Sequence, residues 1–352
     1  MVASLVMWFV WSDDCLRHEP AAEIWIGVRT PATEVPERAL RIRESLIAAG
    51  AREVAATAHG DDALVAVHDP ALVEFLRTAW DEWAALGLPN DRVVPYVFAR
   101  EELTSGRPAP KPAAVWARAG RFAYDTMTLI GPGTWEAARG AVDVALTAVD
   151  LVVDGAPVAY ACCRPPGHHV TRSLYGGSCY LNNSAIAAVE LMRRIGGPVA
   201  IVDIDAHHGN GTQELFRGRD DVRTASVHVD PGEGWFPHFL GFAEENDASN
   251  LNLPIAPASG DETWLAAVRE AAAFTVGARA LVVALGVDAA TADPESPLAV
   301  THDGYGEAGR ILGGLGLPTV VVQEGGYDLG TIGDLVVATL SGFEEVSDTR
   351  GV

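Results

Sequence analysis

With 352 residues, 49% of them hydrophobic and 20% charged, the chain carries enough apolar mass for a substantial buried core. Its net charge of −22, from 25 basic against 47 acidic side chains, argues against nucleic acid as a partner, because no cationic surface exists to release counterions. Acidity of this kind draws cationic ligands by long-range attraction, although net charge alone is better read as ordinary solubility charge.

In chain order, Ser4–Trp11 is predicted as a first strand. The Leu5–Trp11 run is too short to span a membrane and lacks a basic leader, so a cytoplasmic location is expected and no membrane association. Cys15, Cys162, Cys163 and Cys179 form no CxxC or other spaced framework, and Cys162 and Cys163, which sit in an apolar run, read as buried thiols of a reducing compartment. A helix is predicted over Pro36–Gly50, with Pro at its start and Gly at its stop, and another from Asp69 to near Gly87. Between residues 88 and 120 the pattern dissolves around Pro89, Pro95, Pro108, Pro110 and Pro112. This stretch is predicted as the longest loop, of the length that functional or interaction elements take.

From Pro132 the beat is regular. A helix after Gly133 to Asp154 leads to strand Val158–Cys163, helix Asn183–Ile195, strand Val199–Asp205 and strand Arg223–Val229. Helix Glu262–Val276, strand Ala280–Asp288, helix His302–Leu315, strand Thr319–Gln323 and helix Ile332–Leu340 complete it. Strands alternating with helices predict an α/β protein with a doubly wound parallel sheet.

Polar residues follow the carboxyl ends of these strands, where open α/β sheets build their sites. Val199–Val202 runs into Asp203-Ile-Asp205-Ala-His207-His208-Gly-Asn210-Gly. Alternation would send Asp203, Asp205 and His207 to one side of the chain. Burying two carboxylates there costs several kcal/mol each unless a cation compensates, so the string predicts a metal site. A lone Asp-x-Asp would instead suggest polar capping of a strand end. Arg164-Pro-Pro-Gly-His168-His169, Gly286-Val-Asp288 and Glu324-Gly-Gly-Tyr327 end three further strands, and the four loops are expected to share one rim.

In this order and spacing, RPPGHH, DIDAHHGNGTQ, GVDAATADP and EGGY resemble the arginase/deacetylase superfamily, specifically its zinc-dependent histone deacetylase-like amidohydrolases. Pro132–Arg139, His228–Glu245 and the long Pro-rich loop bring the resemblance closest to bacterial acetylpolyamine amidohydrolases. The resemblance covers nearly the whole chain and implies one catalytic domain over residues 1–352. Its fold would be a three-layer, mostly parallel sheet with helices on both faces, and residues 88–120 would form a loop insertion.

By this resemblance Asp205, His207 and Asp288 are the zinc ligands; two carboxylates and an imidazole leave a position open for water and substrate. Ferrous iron would suit the same donors. His168 and His169 match the tandem catalytic histidines, oriented by Asp203 and Asn210 respectively, and supply base and acid for amide hydrolysis. A neutral Asn210 should leave His169 less basic than a carboxylate would. Tyr327 matches the oxyanion-stabilising tyrosine, a donor whose removal typically costs ~3 kcal/mol of barrier. Asp203, Asp205, His207, Ser226 and Val227 correspond to a structural potassium site. His208 matches no direct role and is expected to be structural.

For substrate contacts the resemblance offers Asp125 at the rim, Gly177 and Phe236 along the tunnel, and Glu23 at the entrance. Ser178 replaces the usual aromatic wall and should open that side. Glu295, seven residues beyond Asp288, stands where a gatekeeper glutamate would favour a second ammonium. Other acids of the polyamine enzymes fall at Trp116 and Met127, so acidic selection is partly present and partly missing. The expected activity is removal of acetyl groups from acetylpolyamines by a homodimer, with residues 88–120 at the interface. The alternatives are deacylation of protein lysine or of a small specialised metabolite, and a metal-binding regulatory module without turnover. Two-manganese ureohydrolysis lacks its bridging carboxylates, since position 207 is His and Ala289-Ala290 follow Asp288.

Overall fold

The computed structural model describes residues 7–107 and 112–348. Positions 4–6 of the first expected strand and 108–111 of the Pro-rich stretch lie outside them. The chain opens with β1 (Trp8–Trp11), β2 (Glu23–Trp25), β3 (Val28–Thr30), α1 (Glu37–Ala48), β4 (Arg52–Ala55), α2 (Asp62–Val67) and α3 (Pro70–Ala84). Next come α4 (Glu101–Thr104), α5 (Val115–Phe122), α6 (Thr134–Val153), β5 (Val158–Ala161), α7 (Asn183–Ile195), β6 (Val199–Asp203) and α8 (Asn210–Phe216). The chain closes with β7 (Val222–Val229), β8 (Asn250–Ile255), α9 (Asp261–Phe274), β9 (Ala280–Leu285), α10 (His302–Gly313), β10 (Thr319–Gln323) and α11 (Ile332–Asp348).

Eight strands form one sheet in the order β4-β1-β5-β10-β9-β6-β7-β8, and every pairing in it is parallel. The central strands are apolar through their middles, with polar residues at strand ends such as Asp203 and Gln323, because both of their faces are covered. In β6, Val199 and Ile201 join the core shared with α3, α6 and α7, whereas Ala200 and Val202 join the core shared with α1, α9 and α11. This is a three-layer α/β fold with the sheet in the middle.

Helix boundaries follow local chemistry. Asp69 accepts from the Ala71 amide at 2.8 Å with Pro70 opening α3, and Asn182 accepts from the Ala185 amide at 2.9 Å to start α7. Gly196 ends α7 in the left-handed region at φ 70°. All four cysteines are buried and unpaired. Among the described residues no helix is long and apolar enough to cross a membrane.

The structure corrects several expectations. The 88–120 stretch is not wholly loop: it contains α4 and α5, and Val115, Ala119 and Phe122 bury one face of α5 in the core. The hairpin β2–β3 and strands β4 and β8 were not foreseen. Strand β8 carries Asn250, Asn252 and Pro254, and it is tolerated because it lies at the sheet edge. Strand β6 stops at Asp203, so Asp203, Asp205 and His207 do not simply alternate onto one side.

Candidate metal centre and active site

The four expected loops leave β5, β10, β9 and β6, which are consecutive neighbours at the centre of the sheet. Short strands ending level with one another bring their polar carboxyl-terminal residues together, as anticipated.

Asp205, His207 and Asp288 offer ligand atoms that all lie within 4.8 Å of one another. His207 Nδ1 is 2.9 Å from Asp288 Oδ2 and 3.4 Å from Asp205 Oδ1. Asp205 Oδ2 accepts from the Gly325 amide at 2.8 Å, and Asp288 Oδ1 accepts from the Ala206 amide at 2.9 Å. Both carboxylates are buried. Burial and the nearby Asp205 push the Asp288 carboxyl up to about 7, so the pair resists carrying two charges without a cation. An imidazole with two carboxylates, held by backbone donors from behind, fits a divalent metal with an open coordination position.

Asp203 turns the other way. Its Oδ2 lies 2.8 Å from His168 Nδ1, while its Oδ1 accepts from the Asp205 amide at 3.1 Å. His168 Nε2 then sits 3.8 Å from Asp205 Oδ1. Burial alone would lower the His168 pKa, but Asp203 and Asp205 raise it to about 10. His169 Nδ1 lies 2.7 Å from Asn210 Oδ1, an acceptor, so Nδ1 carries the hydrogen and Nε2 keeps a lone pair. Burial and the neighbouring His168 push His169 well below the usual histidine range. The two rings are 4.0 Å apart, yet their environments divide them into a charged and a neutral imidazole.

A cleft of about 770 Å³ opens over these groups, lined by His169, His207 and Tyr327 at its base and by Gly177, Ser178 and Phe236 along its wall. Glu23, Met127 and Glu295 also line it. Phe236 meets the His169 ring edge-on at 4.8 Å. Gly177 has φ +60°, and a Cβ there would collide with the His169 ring, so only glycine lets the wall approach the histidine. Glu295 accepts from the Thr33 hydroxyl. Burial and the adjacent Glu295 raise the Glu23 carboxyl to about 7.

Asp125 sits behind the wall. Its carboxylate accepts from the Met127, Thr128 and Gly177 amides and from the Thr128 hydroxyl, at 2.6–3.0 Å. Trp116 packs against the core instead of lining the cleft. Ser226 pairs in register with Asp203, and Val227 follows it in β7. His208 turns to Asn252, with Nε2 3.1 Å from Oδ1, in keeping with a structural role.

Residues to which the sequence reading gave no role also shape the site. Arg38 donates to the carbonyls of Gly326 and Glu324, pairs with Glu34 at 2.7 Å, and covers the Tyr327 ring. Asp293 accepts from the Tyr327, Asp328 and Glu295 amides at 2.6–3.0 Å. A charged residue inside an otherwise apolar helix face, as Arg38 is, was the available signal.

A metal-fitting triad, a divided histidine pair and a tyrosine at the base of one cleft define a hydrolase. The family described as histone deacetylase domain matches residues 32–343, and the chain belongs to it; it is a deacetylase. Among its relatives, acetylpolyamine amidohydrolase 1 of Pseudomonas aeruginosa is 39% identical over 343 residues, covering 95% of this chain and 98% of that one. The acetylpolyamine amidohydrolase of Mycoplana ramosa is 38% identical over 344 residues, covering 95% and 98%. The solved structure of the acetylpolyamine aminohydrolase from Burkholderia pseudomallei superposes with a TM-score of 0.90 at 38% identity, covering 97% of this chain and 99% of that one.

Proposed function

We propose that this chain is a zinc-dependent amidohydrolase that removes acetyl groups from acetylpolyamines. One observation carries the reading: the cleft that holds His169, His207 and Tyr327 is also lined by the two carboxylates Glu23 and Glu295. A substrate reaching the base with its acetyl group would leave its distal ammonium beside these acids. The relatives named for acetylpolyamines support the same substrate class.

Asp205, His207 and Asp288 would hold the metal, which when bound polarises the amide carbonyl and acidifies a water beside it. His169 lines the cleft with a free Nε2, so it takes the proton as water adds to the acetyl carbon and returns it to the leaving amine. His168 lies behind it, paired with Asp203, and its positive charge offsets the developing negative charge. Tyr327 donates its hydroxyl to the carbonyl oxygen as that oxygen gains charge. Phe236 and Gly177 hold the acetyl arm, and Ser178 leaves the cleft wider and more polar there than an aromatic would. Asp125, whose oxygens already serve four donors, acts by holding the Gly177 wall.

We further propose a single catalytic domain with a structural potassium ion near Asp203, Asp205, His207, Ser226 and Val227. A homodimer is proposed in which the 88–120 segment contributes to the interface, supported by the exposed side chains of Tyr96, Val97 and Leu103. Light scattering at micromolar concentration checks the dimer.

Stripping the metal with a chelator and adding back zinc tests the chemistry. Hydrolysis of an acetyl-lysine reporter should vanish and return with about one zinc per chain. A loaded protein that turns over neither reporter nor acetylpolyamine would instead be a metal-binding regulatory module.

A further inference from the structure

Glu324, the residue after β10, is fully buried, and the proposed mechanism leaves it without a task. Its Oε2 accepts from the Gly167 amide at 2.6 Å and the His168 amide at 3.1 Å, and its Oε1 accepts from the Ser184 hydroxyl at 2.7 Å. Ser184 lies in the first turn of α7, so the carboxylate also faces a helix N-terminus, where negative charge is favoured. The loop has little slack, since a Cβ on Gly167 would lie 2.5 Å from both the Asn183 nitrogen and the Leu181 oxygen. On the other side, the His168 carbonyl accepts from the Gly211 and Thr212 amides at 3.0 and 3.1 Å. The backbone of His168 is therefore clamped between Glu324 and the start of α8.

The next residue ties this clamp to the metal ligands. The Gly325 amide donates to Asp205 Oδ2 at 2.8 Å, and the Glu324 carbonyl accepts from Arg38 at 2.6 Å. Two consecutive residues of one strand end thus hold the histidine loop by a side chain and a metal-ligand carboxylate by a backbone amide.

We infer that Glu324 is a positioning residue that registers the His168–His169 pair against the Asp205 and Asp288 carboxylates. This rests on the deacetylase reading of the site. It acts through acceptor geometry: one oxygen at fixed reach holds two adjacent amides while the other holds the Ser184 hydroxyl, so a shorter side chain of the same charge fails where a neutral one of the same length succeeds. A residue needed only for its charge would show the reverse order.

The test compares Glu324→Asp with Glu324→Gln in the zinc-loaded full chain. Glu324→Asp keeps the charge but withdraws the carboxylate by a methylene. Glu324→Gln keeps the reach, and its amide oxygen can still accept from both amides. Glu324→Asp should lose about 10-fold in kcat on acetylputrescine, within the range a small misplacement costs. Its KM and its zinc dissociation constant, measured by chelator competition, should stay within about two-fold of the parent. Hydrogen exchange across residues 164–170 should speed up in Glu324→Asp, and Glu324→Gln should match the parent in kcat and in exchange. Parent-like kcat and exchange in Glu324→Asp, or a larger loss in Glu324→Gln than in Glu324→Asp, overturns the assignment. A loss confined to KM or zinc affinity overturns it as well. Exchange is read without turnover, so a parent protein inactive on every acetylated amine would sink the functional reading while still reporting on the clamp.

Discussion

The guanidinium carbon of Arg38 lies 4.6 Å from the centroid of the Tyr327 ring, and the same group donates to the carbonyls of Glu324 and Gly326 on either side of the turn. One buried cation therefore fixes both the ring and the backbone that carries it, while Glu34 and Arg164 complete the network beneath. Gly326, at φ +124°, gives this turn a conformation that other residues resist.

Replacing Arg38 with Ala should release Tyr327 from its working position and leave Glu34 with Arg164 as its close cation. The expected result is a fall in kcat of about 10- to 100-fold, larger than any rise in KM. Stability should drop as well, by about 3 kcal/mol, because a buried ion pair loses one member. Steady-state kinetics and denaturant unfolding check the two effects separately.

Glu23 supplies a pH dependence. Burial and the adjacent Glu295 raise its pKa to about 7, so it is neutral below that pH and charged above it. Attraction for a distal ammonium is present above pH 7 and fades as the pH falls through it. The KM for acetylputrescine should rise roughly 3- to 5-fold between pH 8 and pH 6, the worth of a partly exposed ion pair. An acetylated amine with a neutral tail should show no such rise.

Much of this site was legible because strand ends advertise chemistry. Apolar runs such as Val199–Val202 located the central strands, and the polar residues after them could only collect on one edge of a parallel sheet. Asp293, Arg38 and Glu324 were given no role because their functions lie in long-range bonds to backbone groups, which no local pattern encodes. The direction taken by Asp203 was likewise hidden, since it depends on where β6 leaves the ladder. Helix α5 was missed because the prolines before it suggested loop, although Val115, Ala119 and Phe122 bury as one face.

His68 offers a stability test away from the chemistry. Its Nε2 accepts from the Asn182 amide at 2.9 Å, and its Nδ1 donates to the Thr171 carbonyl at 3.0 Å. Removing the ring in His68→Ala strands both groups and should cost about 2–4 kcal/mol in denaturant unfolding. Burial lowers its folded pKa to about 4 from an ordinary 6.5, so the unfolded chain binds the proton more readily. Its contribution is full above pH 6.5 and declines as the pH falls toward 4. The difference in stability between the parent and His68→Ala should narrow over that window.

Ser178 should govern acyl size. It occupies φ +60° and lines the cleft together with Phe236. A Ser178→Phe variant should narrow the channel and lower kcat/KM for a butyryl amine about 10-fold more than for the acetyl amine. Equal losses on both substrates would point to backbone strain instead.

Glu23 and Glu295, the acids that line the cleft, should select a cationic substrate. A side-by-side rate comparison on the zinc-loaded protein tests this selection, using acetylputrescine, acetylspermidine and acetylcadaverine against an acetyl-lysine peptide. A Glu295→Leu variant runs alongside. The acetylpolyamines should have the higher kcat/KM, and Glu295→Leu should lose mainly that preference. A parent enzyme that favours the peptide, or a variant whose preference is unchanged, would contradict it.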